Sequence, residues 1–253
     1  MSKKQHEEAK APDAFLTTSN QVLNWIEKHA LPVFGAVGLL AVIGIGYVGY
    51  GYWQRQVEQK AAEHIYQFES DLKKAEKQVE EERSKIQAKG KKELEAPIDF
   101  DKSYSAIVES IKQAIRKESG TRAAVVSALG LSNFLLQQKQ YANALEVLQL
   151  PTFHPGTGDL LGAFFRMQYG AVLIENAKPD EAIKNYAEIV DSKNLKAFHP
   201  EAMLKMGISH EMKGDLNKAR EVYEKIGREY PNSEASSTAN QYLRLMELNS
   251  SKG

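Results

Sequence analysis

The side chains that could perform catalysis or hold a metal ion are scattered along this sequence of 253 residues. Its six histidines lack the spacing of metal ligands. They are His6, His29, His64, His154, His199 and His210. The His210-Glu211 pair has no second histidine to complete a His-Glu-x-x-His zinc site. The sequence therefore predicts no metal-binding residues.

Phosphate-binding and nucleophilic motifs are missing from the sequence as well. The stretch His-Pro-Gly-Thr-Gly at 154–158 contains glycines, but no Lys-Ser/Thr follows, so we interpret it as a connector and not as a phosphate-binding loop. No Gly-x-Ser-x-Gly elbow occurs. The sequence has no cysteine, which excludes thiolate chemistry, disulfides and a lipid-modified cysteine. We therefore predict a protein that is not an enzyme, with no catalytic or cofactor-binding residues and no cofactor.

The charges balance, because the sequence contains 33 Lys and Arg residues and 33 Asp and Glu residues. A chain without net positive charge has no global field to hold a polyanion. We therefore do not expect a nucleic-acid partner.

The first element that the sequence predicts is a membrane anchor. No charged residue occurs from Ala30 to Trp53, a stretch that spans roughly 35 Å as a helix and is long enough to cross a bilayer. Aromatic residues cluster at its end, as at a lipid headgroup interface. The stretch begins too late and ends in side chains too bulky for a cleaved signal peptide. We predict an uncleaved transmembrane helix at 30–53, with the bilayer as a partner, after a short segment at 1–29 that contains an amphipathic helix.

Four glycines of the predicted anchor fall within about an 80° arc at 100° per residue, which gives the helix one flat face for another helix. They are Gly35, Gly38, Gly46 and Gly49. The alternative is that glycine is common in membrane helices and that these residues have no partner.

A long charged helix with an extension is predicted at 54–102, since residues 54–89 contain no glycine or proline and are rich in Glu, Lys, Gln and Ala. Apolar residues recur there at steps of three and four. They are Ile65, Phe68, Leu72, Ala75 and Val79. This seam has two interpretations: it pairs with a coiled coil of another protein, or it packs on the chain's own domain.

Self-similarity at a period near 37 residues marks 103–253 as a repeat domain. The strongest unit has tetratricopeptide-like spacing, and it contains Leu204, Gly207, Gly214, Asp215, Leu216, Ala219, Tyr223 and Pro231. A weaker unit has Gly170, Ala182 and Tyr186, and the first has Ser132 where a glycine is expected, followed by Tyr141, Ala144 and Leu148. The small residues let paired helices approach closely. We also predict a capping tail with Leu243, Leu245 and Met246 facing inward. The predicted fold class is therefore all-α, a single N-terminal transmembrane helix followed by a tetratricopeptide-like α-solenoid.

Solenoids bind partners on the concave surface formed by the first helix of each pair. Helical phase places Asn133, Gln137, Phe164, Met167, Lys205 and Met212 on that surface. For Phe164 and Met167 the alternative is core packing. A groove of mixed polar and apolar residues favours an extended peptide or a partner's helix as ligand.

The chain resembles the bacterial ancillary subunit family of the SecYEG translocon in its order of short segment, anchor and tetratricopeptide-like domain. The stretch N-x-x-x-x-W-I-x-K-H at 20–29, which runs directly into the anchor, carries the resemblance further. The charged extension at 73–96 exceeds what the family needs. The resemblance implies a membrane-anchored adaptor with chaperone-like contact to unfolded secretory polypeptides, and SecYEG and a periplasmic chaperone as partners.

Orientation is not decided by charge, because Lys28 precedes the predicted span and Arg55 and Lys60 follow it. The resemblance implies the bacterial inner membrane, with the N-terminus in the cytoplasm and the repeats in the periplasm. The alternative function is a structural envelope-assembly or division factor that pairs through the seam of the long helix.

Overall fold

The computed structural model describes residues 25, 28–88, 99–152, 156 and 159–250, and these described residues contain helices and connectors but no strand. The helices are α1 Ala30–Ala88, α2 Phe100–Lys117, α3 Arg122–Gln137, α4 Tyr141–Leu148, α5 Leu160–Glu175, α6 Pro179–Val190, α7 His199–Met212, α8 Leu216–Glu229 and α9 Glu234–Ser250, with a 3₁₀ segment Lys193–Phe198 before α7. The chain divides into two compact units, Met1–Gln56 and Val57–Gly253. The predicted boundaries at 29, 53 and 102 stay predictions.

The first unit contains the predicted anchor. Among the residues that the structure describes, no helix is both long enough and apolar enough to cross a bilayer. The side chains of 30–38 lie outside the described residues, and so do the structures of 1–24, 26 and 27, where the amphipathic helix is predicted. Gly35 and Gly38 fall in that undescribed part, whereas a Cβ added at Gly46 or Gly49 meets no atom within 4 Å. The anchor and its packing face stay predictions.

The later part of α1 packs on the core of the second unit. Ile65 and Leu72 are buried, and Phe68, Ala75 and Val79 are partly buried against the same core. The periodicity is therefore confirmed, and the interpretation as packing on the chain's own domain is the one the structure supports. The coiled-coil interpretation requires an exposed apolar seam, but the chain's own core covers this seam. Residues 89–98 of the predicted extension lie outside the described residues.

Helix α2 contributes to the same core as this part of α1. It begins at Phe100, three residues before the repeat domain predicted from the sequence. The Asp99 side chain caps the helix, because it accepts a hydrogen bond from Lys102 N at 3.3 Å. Its buried residues recur at steps of three and four and join the core that contains Ile65 and Leu72.

The small residues of the repeats allow close helix contact, as predicted. A Cβ added at Gly207 of α7 would overlap the ring of Tyr223 on α8, with Tyr223 Cδ1 at 2.8 Å. A Cβ at Gly170 of α5 would likewise overlap the ring of Tyr186 on α6. It would also lie 2.8 Å from Asn185 Nδ2 of the same helix. Both tyrosines are fully buried. The missing side chains thus make room for the rings between each helical pair.

Each repeat turns between its two helices in the same way. Lys139, Ala177 and Gly214 have φ values of 58°, 54° and 78°. The next residue in each turn donates its N–H to a carbonyl five residues back, from Gln140 to Leu135 at 2.8 Å and from Asp215 to His210 at 2.9 Å. This is the left-handed ending that satisfies the last carbonyls of a helix. Only the third turn has the glycine that signals it in the sequence.

The last repeat and the tail form a second core cluster. Met203, Leu204, Tyr223 and Ile226 are buried there with Ala235 and Ala239 of α9. Two of the predicted inward residues, Leu243 and Met246, are partly buried against this cluster. The prediction for Leu245 was wrong, because that side chain is 54% exposed. Because successive residues of a helix are about 100° apart, Leu245 does not lie on the face of α9 that carries Leu243 and Met246.

Candidate protein-binding groove

A groove lies between α1 and α3 in the second unit. It consists of two cavities of about 400 and 560 Å³, both lined by Glu69 of α1 and Val126 of α3. Small residues on α3 leave this space open, since Ser127 and Gly130 line the groove and a Cβ added at Gly130 meets no atom within 4 Å. We call this space the α1/α3 groove.

One end of the α1/α3 groove is apolar. Ala62 and Tyr66 of α1 face Val126 of α3, and Leu161 of α5 closes the same cavity. Tyr66 is 69% exposed and Val126 is 54% exposed. Large apolar side chains with this exposure on neighbouring helices form a surface that gains stability when a ligand covers it.

The other end of the α1/α3 groove, the polar end, is uncharged on the α3 side, where Asn133 and Gln137 lie beside the apolar Leu131 and Phe134. Asn133 and Gln137 line it and are exposed. Ser127 lies in the same wall, is only 1% exposed, and its Oγ has no hydrogen-bond partner. A buried hydroxyl without a partner costs free energy.

Two charged residues near the apolar end, Glu58 and Arg122, are engaged in contacts within the domain. The Glu58 carboxylate accepts hydrogen bonds from Arg122 N at 3.0 Å and Ala123 N at 3.3 Å and so caps the first turn of α3. The Arg122 guanidinium donates to both carboxylate oxygens of Asp159, at 2.7 and 3.4 Å. This bond from Arg122, with a second from Leu161 N, lowers the pKa of Asp159, and it raises the pKa of Arg122. Arg122 is therefore held in place and is already paired with a carboxylate.

The wall that α1 contributes to the polar end is charged. Glu69, Lys73 and Glu76 line the cavity there. Two carboxylates and one ammonium give this wall a net negative charge at neutral pH.

The residues predicted for the concave surface occupy different environments. The structure brings Asn133 and Gln137 together in the α1/α3 groove. Phe164 of α5 is 56% exposed, and its ring meets Phe198 edge-on at 5.6 Å between centroids. Met167 is partly buried against the core, as its packing alternative predicts.

The two predicted residues of α7 lie in the last repeat. Lys205 pairs with Glu201 one turn earlier, with Lys205 Nζ 3.4 Å from the carboxylate. Met212 is exposed at the end of α7. The role of all six predicted groove residues in binding stays a prediction.

Tyr66, Val126 and Ser127 were missed by sequence reasoning. Tyr66 follows a buried residue of α1, and its place opposite α3 depends on how the two helices pack. The signal that the sequence does offer is the absence of charge from 123 to 138, over a helix with one exposed face. An uncharged exposed helix face predicts a surface that another group covers.

The histidines of the described residues have structural roles. His199 is buried, with Nε2 2.9 Å from Ser192 O and Nδ1 3.2 Å from Tyr230 Oη. His210 is partly buried beside Asp215, and burial lowers its pKa. No cluster of three metal-binding side chains occurs within the described ranges. His6 and His154, and the side chain of His64, lie outside the described residues.

The helical pairs, their shared turn and the buried tyrosines behind Gly170 and Gly207 define an all-helical repeat fold in the described residues. A family model described as Tetratricopeptide repeat matches residues 201–233, which cover most of α7 and α8. A search of curated proteins found no match to the chain. The match falls on the unit for which the sequence predicts such a repeat. The chain thus contains a tetratricopeptide-type repeat, and helical repeats of this kind are typically non-enzymatic scaffolds for protein–protein interaction.

Proposed function

We propose that this protein is a membrane-anchored scaffold that binds partner proteins along the first helices of its repeats. The observation that carries the proposal is a row of large exposed apolar residues on three successive first helices: Tyr66 on α1, Val126 on α3 and Phe164 on α5. Large apolar residues exposed on neighbouring helices favour a surface that a partner covers. Charge is nearly absent along the row on α3, which favours an apolar contact.

A membrane anchor at 30–53 is part of the proposal. Its support is the uncharged stretch and the exposure of the apolar side chains described there, such as Leu40, Ile43 and Ile45. Tyr47, Tyr50 and Trp53 follow them and are exposed as well. In lipid, apolar side chains on the outside of a helix are stabilised, and tyrosine and tryptophan prefer the headgroup region.

The finer proposal places the protein at the bacterial inner membrane beside the SecYEG translocon. There it would contact unfolded secretory polypeptides and a periplasmic chaperone, with its N-terminus in the cytoplasm. The resemblance of the N-terminal stretch at 20–29 supports this assignment. The alternative, an envelope-assembly or division factor, requires a free seam on α1, and that seam packs on the core.

Site-specific crosslinking in native membranes tests the scaffold function. A photo-crosslinking amino acid replaces Phe164 in the full-length chain, and the control places it at Leu245, which is exposed to nearly the same extent. We expect adducts with translocon subunits from position 164 and none from position 245. Equal adducts from both positions, or envelope-assembly and division proteins without translocon subunits, would contradict the proposal.

Membrane attachment and topology have their own test, which the absence of cysteine simplifies. We expect the full-length protein to stay in the membrane during carbonate extraction. A Ser250→Cys variant should react with a membrane-impermeant maleimide in intact spheroplasts. Labelling only after lysis would reverse the topology and exclude contact with secretory polypeptides outside the cytoplasm.

A further inference from the structure

We propose that the end of the second unit at which its chain begins contacts the surface of an anionic lipid bilayer. This inference rests on the membrane anchor of the proposed function and gives the repeat domain a contact of its own with the lipid. The contact surface, which we call the end face, consists of Leu160 and Phe164 of α5 and of Lys193, Lys196 and Phe198 of the 3₁₀ segment.

The first helices of the pairs begin at one end of the second unit. The carboxylate of Glu58, close to the start of this unit, accepts a hydrogen bond from Arg122 N at the start of α3. The Arg122 side chain in turn donates to Asp159, directly before α5. Phe164 of α5 meets Phe198, directly before α7, with 5.6 Å between ring centroids. The starts of α3, α5 and α7 therefore lie at the end where the unit's chain begins.

The apolar part of the end face is open. Leu160 is 63% exposed and Phe164 is 56% exposed, and they lie one turn apart on the same face of α5. Apolar side chains on the surface of a helical element enter the boundary between lipid headgroups and acyl chains when a bilayer lies beside them. Phe164 also belongs to the row proposed to bind partners, and the membrane proteins proposed as those partners share the same bilayer.

The charged part of the end face favours anionic lipid. Lys193 and Lys196 are exposed, and neither forms an ion pair with a carboxylate of the described residues. Of the neighbouring acids, Asp159 is held by Arg122, which leaves Asp191 against the two lysines. A lysine lays its apolar stem along a membrane surface while its ammonium reaches the lipid phosphates. An apolar surface edged by free lysines matches that arrangement.

The position of the end face along the chain selects the bilayer as its occupant. Five residues lead from Trp53, the last residue of the proposed anchor, to Glu58. Five residues reach at most about 18 Å in any conformation, so the anchor holds the bilayer close to this end at a high effective concentration. A small contact of apolar side chains and lysines is then sufficient. A protein without such a tether needs a larger interface to bind stably.

Fluorescence quenching of the full-length protein in lipid nanodiscs tests the inference, and the lack of cysteine permits single labels. An environment-sensitive fluorophore is attached to Ala197→Cys, an exposed position of the 3₁₀ segment. The control label is attached to Asn217→Cys, which is exposed at the start of α8 and therefore follows the opposite end of α7. The discs contain a lipid with a nitroxide on its headgroup, in phosphatidylcholine alone or in about three parts phosphatidylcholine to one part phosphatidylglycerol.

The expected result is selective quenching at position 197. It should be at least about twofold stronger in the anionic discs than in phosphatidylcholine and should fall as the salt concentration rises. The label at position 217 should not be quenched in either kind of disc.

Matched variants assign the quenching to the end face. Lys193→Glu and Leu160→Ser, each made separately, should reduce the quenching at position 197 in anionic discs to nearly the value in phosphatidylcholine. Both residues are exposed, so neither variant should lower the melting temperature. Lys102→Glu is the control, because Lys102 is also exposed but lies in the first turn of α2. That turn is away from the end face, since Phe100 beside it packs on Phe134 in the later part of α3.

The outcomes separate this inference from the scaffold function. Quenching at position 197 that is equal in both kinds of disc and unchanged in the two variants would result from the anchor alone, and it overturns the inference. Absent quenching overturns it too, and crosslinks from position 197 to a protein would then assign the end face to a protein partner. In either case crosslinks from position 164 to translocon subunits leave the scaffold function standing. A chain that does not enter the discs contradicts the anchor, on which both proposals rest.

Discussion

Replacing Gly207 by alanine tests whether the contact of α7 with α8 depends on a missing side chain. The new Cβ would overlap the Tyr223 ring, whose Cδ1 lies 2.8 Å from the Cβ position. The ring cannot move away freely. It is fully buried, stacks on Tyr242 with centroids 5.4 Å apart, and donates its hydroxyl to Glu211 at 2.6 Å.

The expected magnitude follows from two opposing effects. Overpacking a core contact costs about 1–3 kcal/mol, and here the upper part of that range applies because two further contacts fix the ring. Alanine in a helix gains about 1 kcal/mol over glycine. The net loss of unfolding free energy for Gly207→Ala is therefore about 1–2 kcal/mol. At about 2–4 °C per kcal/mol for a domain of this size, the melting temperature falls by about 2–8 °C.

Gly130→Ala is the matched control, since Gly130 also lies inside a helix but a Cβ there meets no atom within 4 Å. Only the gain in helix propensity applies, so this variant should melt about 2–4 °C higher than wild type. The assay is thermal unfolding of both full-length variants, followed by circular dichroism. A Gly207→Ala variant that melts at or above the temperature of Gly130→Ala would refute the packing argument.

Three further predictions concern the same domain and use the same measurement. Ala219→Leu should overpack the fully buried contact of α8 and cost about 1–3 kcal/mol; an unchanged melting temperature would contradict the repeat alignment. Ala177→Gly should raise the stability by a few tenths to about 1 kcal/mol, because it removes the strain of a non-glycine residue at φ 54°, and a lower melting temperature would argue against that strain. Burial lowers the pKa of His210, so the unfolded state binds its proton more readily and the domain loses stability as the pH falls below about 6.5. His210→Gln should reduce that loss between neutral pH and about pH 5, and an identical pH dependence in the variant would show that another group causes it.

The repeats could be predicted from the sequence because their signals are local. Gly207, Ala219 and Tyr223 have tetratricopeptide-like spacing. Gly207 leaves a gap on one helix of the pair, and Tyr223 of the other helix fills it. The turn residues were harder to find. Lys139 and Ala177 adopt the same left-handed conformation as Gly214, but lysine and alanine do not predict it from the sequence. The hydrogen bonds that close the turn impose the conformation on them.

The groove could be predicted only in part. Asn133 and Gln137 follow from helical phase on α3, because a period of 3.6 residues determines which side chains share a face. In the sequence, Ser127 cannot be distinguished from any other small polar residue in a helix. Tyr66 likewise cannot be distinguished from any other exposed tyrosine. Their place in one groove depends on α1 packing beside α3, two helices separated by α2 in the chain.

The sequence by itself determined which residues of each helix are apolar together, that the chain is all-helical in its described part, and that a tetratricopeptide-type repeat occupies 201–233. Only the tertiary structure decided what covers each apolar face. The seam with Ile65 and Leu72 is covered by the domain's own core, while Leu245, predicted to face inward, is exposed. The physical reason is that periodicity is a property of one helix, whereas burial requires a second surface from a distant part of the chain.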